Sequence, residues 1–106
     1  MAFSVHFIMD ENTAKVTLEG ELDAASAPSF RREIEKAAQQ QPGRLVLFLQ
    51  GLEFMASAGL RVLIFAKQKM GADVEVYAVA PQPGIRETLE KTGFEKSVII
   101  VDNYAD

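Results

Sequence analysis

Five consecutive apolar residues, Leu45-Val46-Leu47-Phe48-Leu49, limit what this chain can fold into more than any other feature. The run has no polar face to offer water, so as a strand it must be covered on both sides and lie inside a sheet. The flanking sequence agrees. Residues 3–9 alternate Phe3, Val5, Phe7 and Met9 with smaller or more polar partners, and residues 13–18 alternate Val16 and Leu18 with Lys15 and Thr17. Asp10-Glu11-Asn12 separates them, which predicts a β-hairpin. Gly20 is expected to close the second strand. Residues 24–41 carry Phe30, Ile34, Ala37 and Ala38 on one helical face, with Ser26 or Asp23 as cap, Pro28 in the first turn and Pro42-Gly43 past the exit.

After the apolar run, residues 51–57 read as a loop and residues 58–70 as a well-buried helix closed by Gly71. Residues 74–79 form a strand that Pro81 and Pro83 end. Residues 85–91 form a third helix with Ile85 and Leu89 inward and Gly93 as its stop, and residues 97–101 can add a last edge strand. The order is β β α β α β α, then a further β. Helices alternating with apolar strands after a hairpin predict an α/β fold on a mixed sheet. Its functional edge is expected where strands finish and helices begin, gathering residues 20–25, 51–57 and 80–84. A length of 106 residues predicts one domain spanning residues 1–106.

Composition excludes several kinds of chemistry. Hydrophobic residues make up 48% of the chain and charged residues 25%, the proportions of an ordinary globular domain. The formal net charge is −4, which disfavours nucleic acid and anionic membranes as partners. No stretch approaches the ~20 apolar residues of a membrane span, and the N-terminus lacks the basic region of a secretory signal. The absence of cysteine removes thiolate metal sites and cysteine nucleophiles, and suits a cytoplasmic location. The single histidine, His6, cannot build a multi-histidine metal site or a histidine-based triad within reach of Ser57. Glu19, Glu21 and Asp23 cluster around Gly20, a pattern typical of a solvated face. No phosphate-cradling glycine loop or cofactor motif is present, so the expectation is no enzyme, no metal and no cofactor.

One segment stands apart: Glu53-Phe54-Met55-Ala56-Ser57-Ala58-Gly59-Leu60-Arg61. Ser57 falls where the second helix begins. It can serve there as an N-cap. The same geometry presents a hydroxyl to free N–H groups and the positive end of the helix dipole, where a phosphoryl group is tolerated and adds nearly two negative charges at one surface point. Gly59, without a side chain, is expected to let a partner approach closely, and alanine on both sides keeps Ser57 accessible.

Three stretches carry a family resemblance. They are Leu18-Glu19-Gly20-Glu21-Leu22-Asp23, the segment from Leu45 through Leu60, and Ala78-Val79-Ala80-Pro81 with Leu89-Glu90-Lys91-Thr92-Gly93-Phe94. In this order they resemble the G-E-L-D turn, the central strand with its D-S-S-G-L segment, and the fourth strand with the third helix, of the STAS domain family. Within that family the chain resembles specifically the stand-alone bacterial anti-sigma factor antagonists. It implies a mixed sheet of four to five strands with three or more helices mainly on one side.

The resemblance also implies a binding switch. The domain binds an anti-sigma factor that is also a serine/threonine kinase and so releases a sigma factor. ATP-dependent phosphorylation of a serine ends the complex and a phosphatase restores it. That serine falls on Ser57, and the acidic residue of the turn on Asp23. Glu21, Ala56, Ala58, Gly59, Leu60 and Arg61 complete the implied partner-binding set. Two positions depart from the pattern. Ala56 replaces the aspartate that often precedes the serine, and Ala58 replaces a second serine, leaving Ser57 as the one hydroxyl to modify. Ala56 also fits an alternative, a STAS accessory subunit of a transporter or sensory complex that is never phosphorylated. The apolar residues 98–101 can pair at a sheet edge, which leaves a homodimer open.

Overall fold

The structure, a computed structural model, describes residues 2–105. Five strands and three α-helices follow the expected order: β1 (Ser4–Asp10), β2 (Thr13–Leu22), α1 (Ala27–Gln39), β3 (Arg44–Met55), α2 (Ser57–Met70), β4 (Glu75–Val79), α3 (Pro83–Lys91) and β5 (Ile99–Val101), with a short 3-10 turn, Phe94–Ser97, before β5. The strands line up as β1-β2-β3-β4-β5. β1 pairs with β2 as the antiparallel hairpin, and every later pairing is parallel. The sheet is therefore mixed, as the sequence predicts.

The two faces of the sheet are closed differently. Ala14, Val16, Leu18, Leu45, Leu47, Leu49, Val76 and Ala78 form one cluster with Phe30 and Ile34 of α1, Val62 and Leu63 of α2, and Ile85 and Leu89 of α3. These side chains lose nearly all contact with water, each worth roughly 1.5–3 kcal/mol of transfer free energy for a Val, Leu, Ile or Phe. On the opposite face Val46 is fully buried without a helix above it. Val46 lies between Lys15 and Tyr77 in the strand register. The Tyr104 ring sits edge-on to Tyr77 at 5.5 Å and to Phe48 at 6.2 Å, with the Lys15 ammonium 6.0 Å from its centroid. The expectation that the central strand is covered on both sides holds, but on this face the cover is a tyrosine after the last strand.

At the expected functional edge, two boundaries differ from the sequence reading. Gly20 does not close β2, and residues 51–57 are not a loop. β2 runs on to Leu22 and β3 to Met55, paired as Gly20↔Leu52, Glu21↔Phe54 and Leu22↔Met55 with two register shifts. The reason is the backbone of Gly20. Its φ of +86° is open to glycine at no steric cost, and a Cβ there would collide with the Ala2 carbonyl oxygen. Gly20 thus carries β2 past the two register shifts, at each of which β3 supplies one residue more than β2, instead of ending the strand. β4 stops at the level of Phe48, so β2 and β3 project beyond it.

Candidate functional site

The projecting ends of β2 and β3 carry the two candidate polar groups into one corner. The Ala56 N–H donates to the Leu22 carbonyl at 2.8 Å, tying the exit of β3 to the exit of β2. Asp23 and Ser57 each follow that bond by one residue. The third expected loop reaches only the base of the projection, where the Gln82 side-chain amide donates to the Gln50 carbonyl at 2.9 Å. Of the three segments expected at the edge, two meet at its tip and one does not.

Ala56, in extended conformation, occupies the N-cap of α2, and Ser57 is the first helical residue. Ser57 therefore does not cap the helix, and its hydroxyl makes no capping hydrogen bond. It is exposed, as is Arg61 one turn later. Ala58 and Leu60 are half-buried beside them.

Asp23 is held in a tight turn. Its backbone N–H donates to the Ser26 hydroxyl oxygen at 2.9 Å, and the Ser26 N–H donates back to Asp23 Oδ1 at 2.9 Å. The Ser26 hydroxyl lies 2.9 Å from the same carboxylate oxygen and can donate to it. These bonds to Ser26, backbone first and side chain second, hold the Asp23 carboxyl below the usual carboxylate range. The carboxylate stays charged at the corner, and Glu21 is exposed on the strand leading to it.

Gly59 requires a correction. It was expected to give a partner room, yet it is buried and faces the core. A Cβ built on it would lie 2.6 Å from Leu22 Cγ and 3.0 Å from Met55 Cγ. Its missing side chain lets α2 close onto the ends of β2 and β3. Ser26 was legible only as a helix cap; the Asp-x-x-Ser spacing is the signal for the reciprocal turn it makes. Phe54, exposed at 49%, is a large apolar side chain at the same corner that the sequence reading left out.

The neighbouring groove lies between α1 and α2. Ala24, Ala27, Pro28, Ala58 and Val62 line it with Arg31 and Arg61, around about 290 Å³. The Arg31 guanidinium lies 3.9 Å from the centroid of the Phe65 ring, close enough for cation–π attraction.

The STAS domain family model matches residues 7–106. The chain belongs to the STAS domain family. Its relatives are anti-sigma factor antagonists. The anti-sigma-F factor antagonist RsfB of Mycobacterium tuberculosis is 29% identical over 91 residues, 85% of this chain and 75% of RsfB. The anti-sigma F factor antagonist of Paenibacillus polymyxa is 33% identical over 93 residues, 83% of this chain and 77% of its own length. The crystal structure of an anti-sigma factor antagonist from Mycobacterium paratuberculosis superposes with a TM-score of 0.88 at 25% identity, covering 96% of this chain and 87% of that one. The STAS sheet order and helix count are those found here. Among the described residues of this STAS domain no helix is long and apolar enough to cross a membrane.

Proposed function

We propose that this STAS domain is an anti-sigma factor antagonist. It docks an anti-sigma factor through the corner formed by Glu21, Asp23, Ala56, Ser57, Ala58, Leu60 and Arg61, and phosphorylation of Ser57 ends the complex. The observation that carries this reading is the exposed Ser57 hydroxyl on the first residue of α2, one backbone hydrogen bond away from the turn that holds Asp23. In the proposed step Ser57 Oγ bonds to the γ-phosphorus of ATP held by the partner kinase. The bond from that phosphorus to ADP breaks and the hydroxyl proton is lost. The new group brings close to two negative charges beside an already ionised Asp23, so a surface suited to one partner becomes repellent. A phosphatase reverses the change by hydrolysis. The domain acts here as a binding protein in the cytoplasm, and the chemistry belongs to its partners.

The test uses the anti-sigma kinase with ATP. Mass spectrometry is expected to find one phosphoryl group, on Ser57, and none in Ser57→Ala. Calorimetry is expected to show Ser57→Asp binding the kinase about tenfold more weakly, ~1.4 kcal/mol. Phosphate on another residue, or unchanged affinity, defeats the proposal. Ala56, where the resemblance leads one to expect a carboxylate, favours a second reading as an accessory subunit that is never phosphorylated. Absence of labelling together with stable association with a transporter supports that alternative.

A further inference from the structure

Arg61 is an exposed arginine that forms no ion pair among the described residues. That is informative on a chain whose acidic residues outnumber its basic ones by 15 to 11. The Asp23 carboxylate at the corner is turned toward Ser26. The other arginine of the groove, Arg31, is engaged with the Phe65 ring. Arg61 stands four residues after Ser57 on the same exposed side of α2. Side chains on a helix lean toward its N-terminus, a direction that brings the first turn within reach of the long arm of Arg61. Its place in the groove beside Ala58 agrees with this.

We infer that Arg61 is a built-in acceptor for a phosphoryl group on Ser57, which it holds by an ion pair within α2. The inference rests on the reading of Ser57 as the modified residue. An acidic group placed four positions before a basic one is the better orientation for such a pair. The guanidinium fork matches two phosphate oxygens at once, and the start of the helix adds its own attraction for negative charge. Modification then does two things at the docking face. It introduces negative charge at Ser57, and it withdraws from the groove between α1 and α2 an arginine that has no ion-pair partner among the described residues. A partner whose acidic side chain uses Arg61 loses that contact when Ser57 is phosphorylated.

The test installs phosphoserine at position 57 during translation, so it needs neither the kinase nor the partner. The second ionisation of the phosphate, ordinarily near pH 6, is followed by 31P NMR in the otherwise unchanged protein and in R61Q, R61K and R32Q. The phosphate is expected to bind its proton about threefold more weakly with Arg61 present than in R61Q, the size of an exposed ion pair. R61K is expected to fall between them, because lysine supplies charge without the fork. Arg32 is exposed on α1 and engaged with Ser29, outside the groove, so R32Q is expected to titrate like the unchanged protein. Coincident curves for the unchanged protein and R61Q overturn the inference. An R32Q shift as large as that of R61Q also overturns it, since a diffuse field would then explain the effect. If the kinase instead labels another residue while these curves separate, the functional reading fails and the ion pair stands.

Discussion

The two ends of the sheet use their polar residues in opposite ways. At the end where β3 begins, Arg44 is engaged by partners within the chain. It donates to Glu75 Oε1 at 2.8 Å and to the Tyr104 hydroxyl at 3.3 Å, and its guanidinium lies 4.8 Å from the Tyr77 ring centroid. The Tyr104 hydroxyl first and Glu75 second hold Arg44 still more firmly protonated than usual. At the end where β3 finishes, Ser57 and Arg61 are exposed and Phe54 stands in solvent. An end whose groups satisfy one another contributes to holding the fold. An end that leaves a hydroxyl, a cation and an aromatic ring uncovered has stability to gain only from something outside the chain. The contrast is one reason to propose the corner as the docking end.

The sharpest way to break this comparison lies within α2, where an inner and an outer residue sit two positions apart. Gly59→Leu forces a branched side chain into space already filled by Leu22 and Met55. Its cost is expected at the upper end of overpacking, ~3 kcal/mol, read as a fall in Tm of roughly 15 °C. Ser57→Ala changes an exposed side chain and is expected to stay within about 0.5 kcal/mol of the parent. Equal effects at the two positions would show that the inner and outer faces of α2 are misassigned.

The opposite end gives the next effect in size. Tyr104→Ala uncovers Val46 and removes both ring contacts, for an expected loss of ~1–2 kcal/mol in chemical denaturation. Binding of an anti-sigma factor should be unchanged, because Tyr104 is remote from the corner. A variant that keeps its stability but loses its partner would place the docking face on the wrong end of the sheet.

The fold was legible because its signals are periodic and local. The apolar run at 45–49, the hairpin turn and the glycine stops each reflect physics within a few residues. The strand extensions past Gly20 and Gln50 were not, because a glycine reads as punctuation until its neighbours show that the strand runs on through it. Ser57 was legible as a helix start, though not whether it caps the helix, since Ala56 takes that place through backbone conformation alone. Gly59 was misread because a missing side chain looks the same in sequence whether the space is used by a partner or by Leu22. Arg31 and Arg61 share a groove only through the packing of α1 on α2, thirty positions apart in the chain, and no local pattern announces that.

The smallest predicted effect concerns the pH response of the corner. The Asp23 carboxyl is depressed in the folded state by its bonds to Ser26. A depressed folded pKa means that the charged form is favoured by folding. The associated stability is therefore present above the ordinary aspartate value of 3.8 and is lost as pH falls through the lower folded value. Asp23→Asn keeps a hydrogen-bond acceptor but removes the charge, so its stability should be flatter than the parent's below pH 4, with the two curves parallel at neutral pH. Because Asp23 is exposed, solvent screens the charge and the difference should shrink further in high salt. The measurement is urea denaturation at a series of pH values, with the midpoint compared between the two proteins. A parent curve as flat as that of Asp23→Asn would mean that the Ser26 turn does not bind the carboxylate in solution. The corner would then lack the fixed charge that, beside Ser57, distinguishes it from the paired end of the sheet.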